Sequence, residues 1–163
     1  MESKAKLLGH PIHPMLIVLP LGLFIAAVVF DAVYLWRGSP VFATVAYWNI
    51  AGAIAGGLLA AVFGLIDWLA IPAGTRAKRI GLLHGGANVA VVLIFALVWL
   101  LRGDGGEPIP TTNLFLVEVA ALALGSVAGW LGGELVDRLA VGVDDGAHLD
   151  APSSLSGRPA RQR

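Results

Sequence analysis

The 163-residue chain contains no cysteine. That absence removes disulfides, thiolate metal sites, iron–sulfur clusters and cysteine nucleophiles together. Any transition-metal site must then be built from imidazole and carboxylate. Charge is scarce as well: 13% of residues are Asp, Glu, Lys or Arg, about half the share of an ordinary soluble domain. Eleven basic residues balance eleven acidic ones, so no basic field points to nucleic acid. The short signatures of common enzymes are also missing. There is no Gly-x-Ser-x-Gly elbow, no glycine-rich phosphate loop ending in Lys-Ser/Thr, and no His-Glu-x-x-His. An enzyme in the ordinary sense is disfavoured.

What the chain has instead is apolar length. It is 57% hydrophobic, with a mean hydropathy of +0.80. Four apolar runs stand out, at about 15–36, 44–71, 80–101 and 114–135. Each reaches the ~20 residues that a helix needs to cross a bilayer. The first is too long for a signal-peptide core, and no small-x-small cleavage site follows it. The linkers Arg37-Gly38-Ser39-Pro40, Pro72-Ala73-Gly74-Thr75 and Gly103-Asp104-Gly105-Gly106-Glu107-Pro108 are short, which makes sequential spans antiparallel neighbours. Thr75 is placed to cap the third helix. The expected fold is an all-α membrane protein, an antiparallel four-helix transmembrane bundle over 15–140. Residues 1–14 form an N-terminal segment and 141–163 a polar, flexible tail, in which His148 reads as a solvated surface histidine.

Lys4 and Lys6 flank the start, and Arg76, Lys78 and Arg79 fill the second linker, against Arg37 and Arg102 on the other side. This asymmetry predicts a multi-pass membrane protein with both termini in the cytoplasm. Tyr34, Trp36, Tyr47, Trp48 and Trp99 then form an outer aromatic belt, with Trp68 and Trp130 nearer the inner surface. Glycines at spacing four, Gly125, Gly129 and Gly133 on span four and Gly52 and Gly56 on span two, predict close helix contact. Pro20 should kink span one or free a carbonyl near Leu16.

Against this background the polar groups are few. Gly9-His10-Pro11-Ile12-His13-Pro14 runs straight into the first span. A residue before proline is pushed toward extended or polyproline geometry, and a polyproline repeat of three points His10 and His13 to one side. Asp67, His84 and Glu134 fall near the same membrane surface by helical depth, and Asn88 extends the His84 face toward the midplane. Such groups are costly in a bilayer and usually face the bundle interior. His10, His13, His84, Asp67 and Glu134 are therefore the candidate ligands of a transition-metal ion or haem. A second layer, Asp31, Asn49 and Glu118, lies near the opposite surface, where it would link helices or form the exit of a proton path. Each inner group has a plainer role open to it: Asp67 pairing with Arg76 or Arg79, Glu134 with Arg138, and the two histidines capping span one.

The runs LLGHPIHPMLIVLPLGLF, IDWLAIPAGTRAKRIGLLH and GWLGGELVDRLAVGVD, collinear over about residues 5–145, resemble a bacterial family known as domain of unknown function 2231. The resemblance implies a four-span inner-membrane protein without an assigned activity. It also hints at a redox setting, because some relatives are joined to Rieske-type iron–sulfur domains. Some relatives carry a further histidine where Val18 or Leu139 stands here, so His10, His13 and His84 are the histidines left in or near the bilayer. Three functions stay open: a metal- or haem-binding membrane module, a carrier of protons or a small solute acting as an oligomer, and a non-catalytic anchor for a partner such as a redox protein.

Overall fold

The computed structural model describes residues 1–103 and 108–161. Residues 104–107 of the expected third linker and the last two residues of the tail lie outside the described residues. Four helices are long and apolar enough to cross a membrane, spanning Ile12–Arg37, Pro40–Ala70, Arg76–Gly103 and Thr112–Arg138. The expected spans sit inside all four, apart from Ile71, which falls one residue past the second.

The ends of the helices follow local chemistry. A two-residue hairpin, β1 (Lys6–Leu7) with β2 (His10–Pro11), leads into a short helix α1 (Ile12–Leu16). The first span breaks at Ile17 and resumes as α2 (Val18–Arg37). Pro20 has no N–H to offer the Leu16 carbonyl, which is why the break falls there. Gly38, left-handed at φ 72°, closes α2. Pro40 opens α3 (Pro40–Ala70), and Ile71 is turned extended by the proline that follows it. Thr75 caps α4 (Arg76–Gly103) by accepting the Lys78 N–H at 3.1 Å. Thr111 does the same for α5 (Thr112–Gly133), accepting from Leu114 at 3.2 Å. A π-helical turn over Glu134–Arg138 prolongs α5.

The bundle closes with α2 against α3 and α5, and α4 against α3 and α5, while α1 packs on α3. Along α4 the buried residues Val91, Phe95, Val98 and Arg102 follow one another at helical spacing; along α3 they are Ala43, Ala46, Ile50, Ala53 and Ala60. The alanines let the backbones approach, as expected where lipid supplies no hydrophobic drive. Phe24 of α2 stacks on Phe95 of α4, centroids 4.1 Å apart, at the centre of an apolar core. Only 17–22% of each span's apolar window is buried. The rest of that surface faces outward, as suits a hydrocarbon surround rather than water.

The glycines divide by role. On α3, a Cβ at Gly56 would stand 3.3 Å from the Pro20 ring, and one at Gly52 3.2 Å from Leu23, so this stripe does admit α2 closely. The α5 stripe does not act as one: Gly125 lies beside Val91, whereas Gly129 has nothing within 4 Å.

Both termini lie at one end of the bundle. The Met1 ammonium donates to the Ala140 carbonyl at 2.7 Å, and the Gly142 N–H donates back to Met1 at 2.9 Å. Lys6 bridges Glu2 and Asp144. The hydrogen bond from Lys6, and next that from the Asp145 N–H, hold the Glu2 carboxyl below its ordinary range. The bonds to Asp144 and then Glu2 hold the Lys6 ammonium above its own.

Candidate functional site

Two of the five inner candidates meet. His13, in the first turn of α1, and His84, two turns into α4, stand with ring centroids 6.2 Å apart and planes at 86°. Each ring is anchored by its Nδ1, His13 to the Ala60 carbonyl at 2.9 Å and His84 to the Ala128 carbonyl at 2.8 Å. A carbonyl only accepts, so each Nδ1 carries a hydrogen, as in the Nδ1–H tautomer. That tautomer, fixed by a backbone carbonyl, is the usual preparation of a ligating histidine.

Glycine makes room for both rings. A Cβ on Gly64 would lie 2.9 Å from His13 Cε1, and one on Gly132 would lie 3.1 Å from His84 Cε1. Gly64 lies eight residues past Gly56 on α3, and Gly132 is one residue off the Gly125, Gly129, Gly133 spacing of α5. A Cβ on Gly85, Gly86 or Gly129 would meet nothing within 4 Å. Asn88 sits one turn from His84 and turns back on it, donating to its backbone carbonyl at 2.9 Å and lying 3.4 Å from its Nε2.

The other three are committed elsewhere. His10 is exposed on β2, with Nε2 3.3 Å from the Ser154 hydroxyl of the tail. The polyproline reading fails because Pro14 falls in the first helical turn, where a missing N–H costs nothing. His13 is thereby helical while His10 is in a strand, and the two do not share a side. Asp67 gathers the N-terminal segment: it accepts from the Ser3 hydroxyl at 2.8 and 2.9 Å, from Lys4 N–H at 2.7 Å and from Ala5 N–H at 3.4 Å. Its expected partners, Arg76 and Arg79, are not the ones it takes. Glu134 pairs with Arg76 at 2.5 Å, not with Arg138. Among the described residues no group of three or more His, Cys, Asp or Glu side chains converges as a ligand set. The inner layer is thus a pair of imidazoles, not a five-residue centre.

At the opposite end lies a cluster that sequence reading found only in part. Arg102 of α4 pairs with Asp31 of α2 through two bonds, 2.6 and 3.0 Å, and with Glu118 of α5 at 3.2 Å. All three side chains are fully buried. The guanidinium also donates to the carbonyls of Ala43 at 3.0 Å and of Pro108 at 2.9 and 3.1 Å. Asn49, expected in this layer, makes no side-chain hydrogen bond within it. Arg102 had the look of a loop charge, since it closes its span. The missed signal was electrostatic: two carboxylates within a bilayer demand a cation.

Between the two ends stands the apolar core. On α2, Phe24, Ala27 and Val28 separate His13 from Asp31; on α4, Val91, Phe95 and Val98 separate His84 from Arg102. The 18 residues from His84 to Arg102 are five helical turns, or ~27 Å.

The family model described as "Predicted membrane protein (DUF2231)" matches residues 9–145. No curated protein and no solved structure matches the chain.

Proposed function

The chain belongs to that family of predicted membrane proteins, and we propose that it is a membrane-embedded haem-binding module in which His13 and His84 are the two axial ligands. The observation that carries the reading is the pair itself: two imidazoles, each locked through Nδ1 to a backbone carbonyl, with ring centroids 6.2 Å apart. A metal–imidazole bond of about 2.0–2.1 Å puts two rings on one metal with centroids roughly 5–6.5 Å apart, the upper end corresponding to opposite sides of the metal. The same pair would also accept a bare transition-metal ion. Haem is favoured over it because the ligand set stops at two. Asp67 and Glu134 are held by Ser3 and Arg76, so an ion would lack most of its coordination, whereas a porphyrin brings four nitrogens and asks the protein for two.

The orientation with this end in the cytoplasm is supported by the cations that gather there, Lys4, Lys6, Arg76, Lys78 and Arg79. Arg102, formally an opposing charge, is consumed inside the bundle, which sharpens the asymmetry. A bacterial inner membrane is the setting proposed. A redox protein at the cytoplasmic end and further copies of the chain within the bilayer are the partners this reading calls for.

The test is titration of the purified full chain in detergent with hemin, alongside zinc and copper salts. The expected result is a stoichiometric shift of the Soret band with the sharp visible bands of a six-coordinate low-spin haem, lost in both His13→Ala and His84→Ala and kept in His10→Ala. Stoichiometric zinc or copper with no Soret shift would replace haem by an ion at the same pair. Binding of neither, or binding indifferent to both substitutions, would overturn the reading.

A further inference from the structure

Arg102, Asp31 and Glu118 form a set whose charges do not balance if every group is ionised: one guanidinium faces two carboxylates. No solvent reaches any of the three side chains, and a net charge left in hydrocarbon is expensive. The hydrogen-bond inventory sharpens the problem. Arg Nη1 serves Asp31 and Glu118 Oε1, Nη2 serves Asp31 and the Ala43 and Pro108 carbonyls, and Nε serves Pro108 again. Every N–H of the guanidinium is spoken for, and the second oxygen of Glu118 is buried with no hydrogen-bond partner among the described residues. A buried acceptor without a donor costs about 1–3 kcal/mol, more when charged. Asp31 Oδ2 and Glu118 Oε1 also converge on the same nitrogen, Arg102 Nη1, at 2.6 and 3.2 Å. Two ionised carboxylates gathered on one nitrogen repel each other, and a proton on one of them removes the repulsion.

We propose that the triad is a one-proton binding site, in which Glu118 and Asp31 share a single proton and Arg102 balances the remaining charge. The elements around it supply no competing group: α2 contributes Asp31, α4 Arg102 and α5 Glu118, while α3 presents the Ala43 carbonyl and the chain before α5 the Pro108 carbonyl. Among the described residues no other charged or titratable side chain is hydrogen-bonded or ion-paired to the set. The apolar core lies on the side facing His13 and His84, and the Ala43 and Pro108 carbonyls complete the guanidinium's partners. Releasing the proton sets two negative charges against each other across the contact of α2 with α5. The site therefore couples pH to the packing of the bundle. This assignment is independent of whether the histidine pair binds haem.

Infrared difference spectroscopy of the full chain in lipid vesicles tests it. At neutral pH the spectrum should contain the C=O stretch of a protonated carboxylic acid, lowered on deuteration. The band should be lost in Glu118→Gln, which should melt at the wild-type temperature and lack the wild-type decline at alkaline pH. Should that variant not fold, wild-type protein labelled with carboxyl-¹³C glutamate gives the same reading, since the band must then shift. A neutral-pH spectrum with no such band, a band kept in Glu118→Gln, or a band unmoved by the label would overturn the proposal.

Discussion

A histidine becomes a ligand or a packing residue according to what holds its other nitrogen. His13 and His84 share two features: Nδ1 on a backbone carbonyl and a glycine under the ring. Their positions were legible in the sequence; the glycine notches were not, because glycine spacing reports close approach without saying what approaches. Gly64→Ala isolates the notch. The added methyl would meet the His13 ring at 2.9 Å, and neither ring nor backbone can yield without breaking the Ala60 bond. The expected outcome is a protein that still inserts and folds but binds hemin at least tenfold more weakly, about 1.4 kcal/mol. Unchanged hemin affinity in a titration against the wild type would show that the ring position does not matter. Gly129→Ala, where nothing lies within 4 Å, is the matched control.

The helices were read closely from hydropathy, because twenty apolar residues have few alternatives to a spanning helix. The segments outside them were not. The tail has polar composition and reads as free chain, yet it returns to the N-terminal segment through Met1, Glu2 and Lys6. Contacts across nearly the whole chain leave no periodic trace. This latch has a definite pH dependence. The Glu2 carboxyl is held below its ordinary value, so its contribution is present above the unfolded carboxylate range and is lost as pH falls through the folded value. The Lys6 ammonium is held above its ordinary value, so its contribution is present below the unfolded lysine range and is lost as pH rises through the folded value. Amide exchange of residues 1–7 and 140–146, corrected for its intrinsic pH dependence, should be slowest near neutrality and faster on both sides. Lys6→Ala should flatten that profile, and an unchanged profile in this variant would remove Lys6 from the latch.

At the level of the whole molecule, the bundle is two polar layers held ~27 Å apart by an apolar plug. Depth alone placed His84 and Glu118 in separate layers. Which residues within a layer would touch was not legible, since depth along a helix says nothing about rotation around it. Asp67 and Glu134 lie at the same end as His84 and are turned to other partners, Ser3 and Arg76. Asn49 shares the end of Asp31 and Glu118 without joining them. Arg102 was the converse case, read as a loop charge and found at the centre of its layer.

If His13 and His84 hold one haem iron at the angle of 86° between their rings, electron paramagnetic resonance reports it. Mutually perpendicular imidazole planes on a low-spin ferric haem give an electron paramagnetic resonance spectrum dominated by one feature at high g, whereas parallel planes give three resolved features. The hemin-loaded wild-type protein should show the single high-g signal. A high-spin signal, or a low-spin one that survives His13→Ala or His84→Ala, would contradict the account.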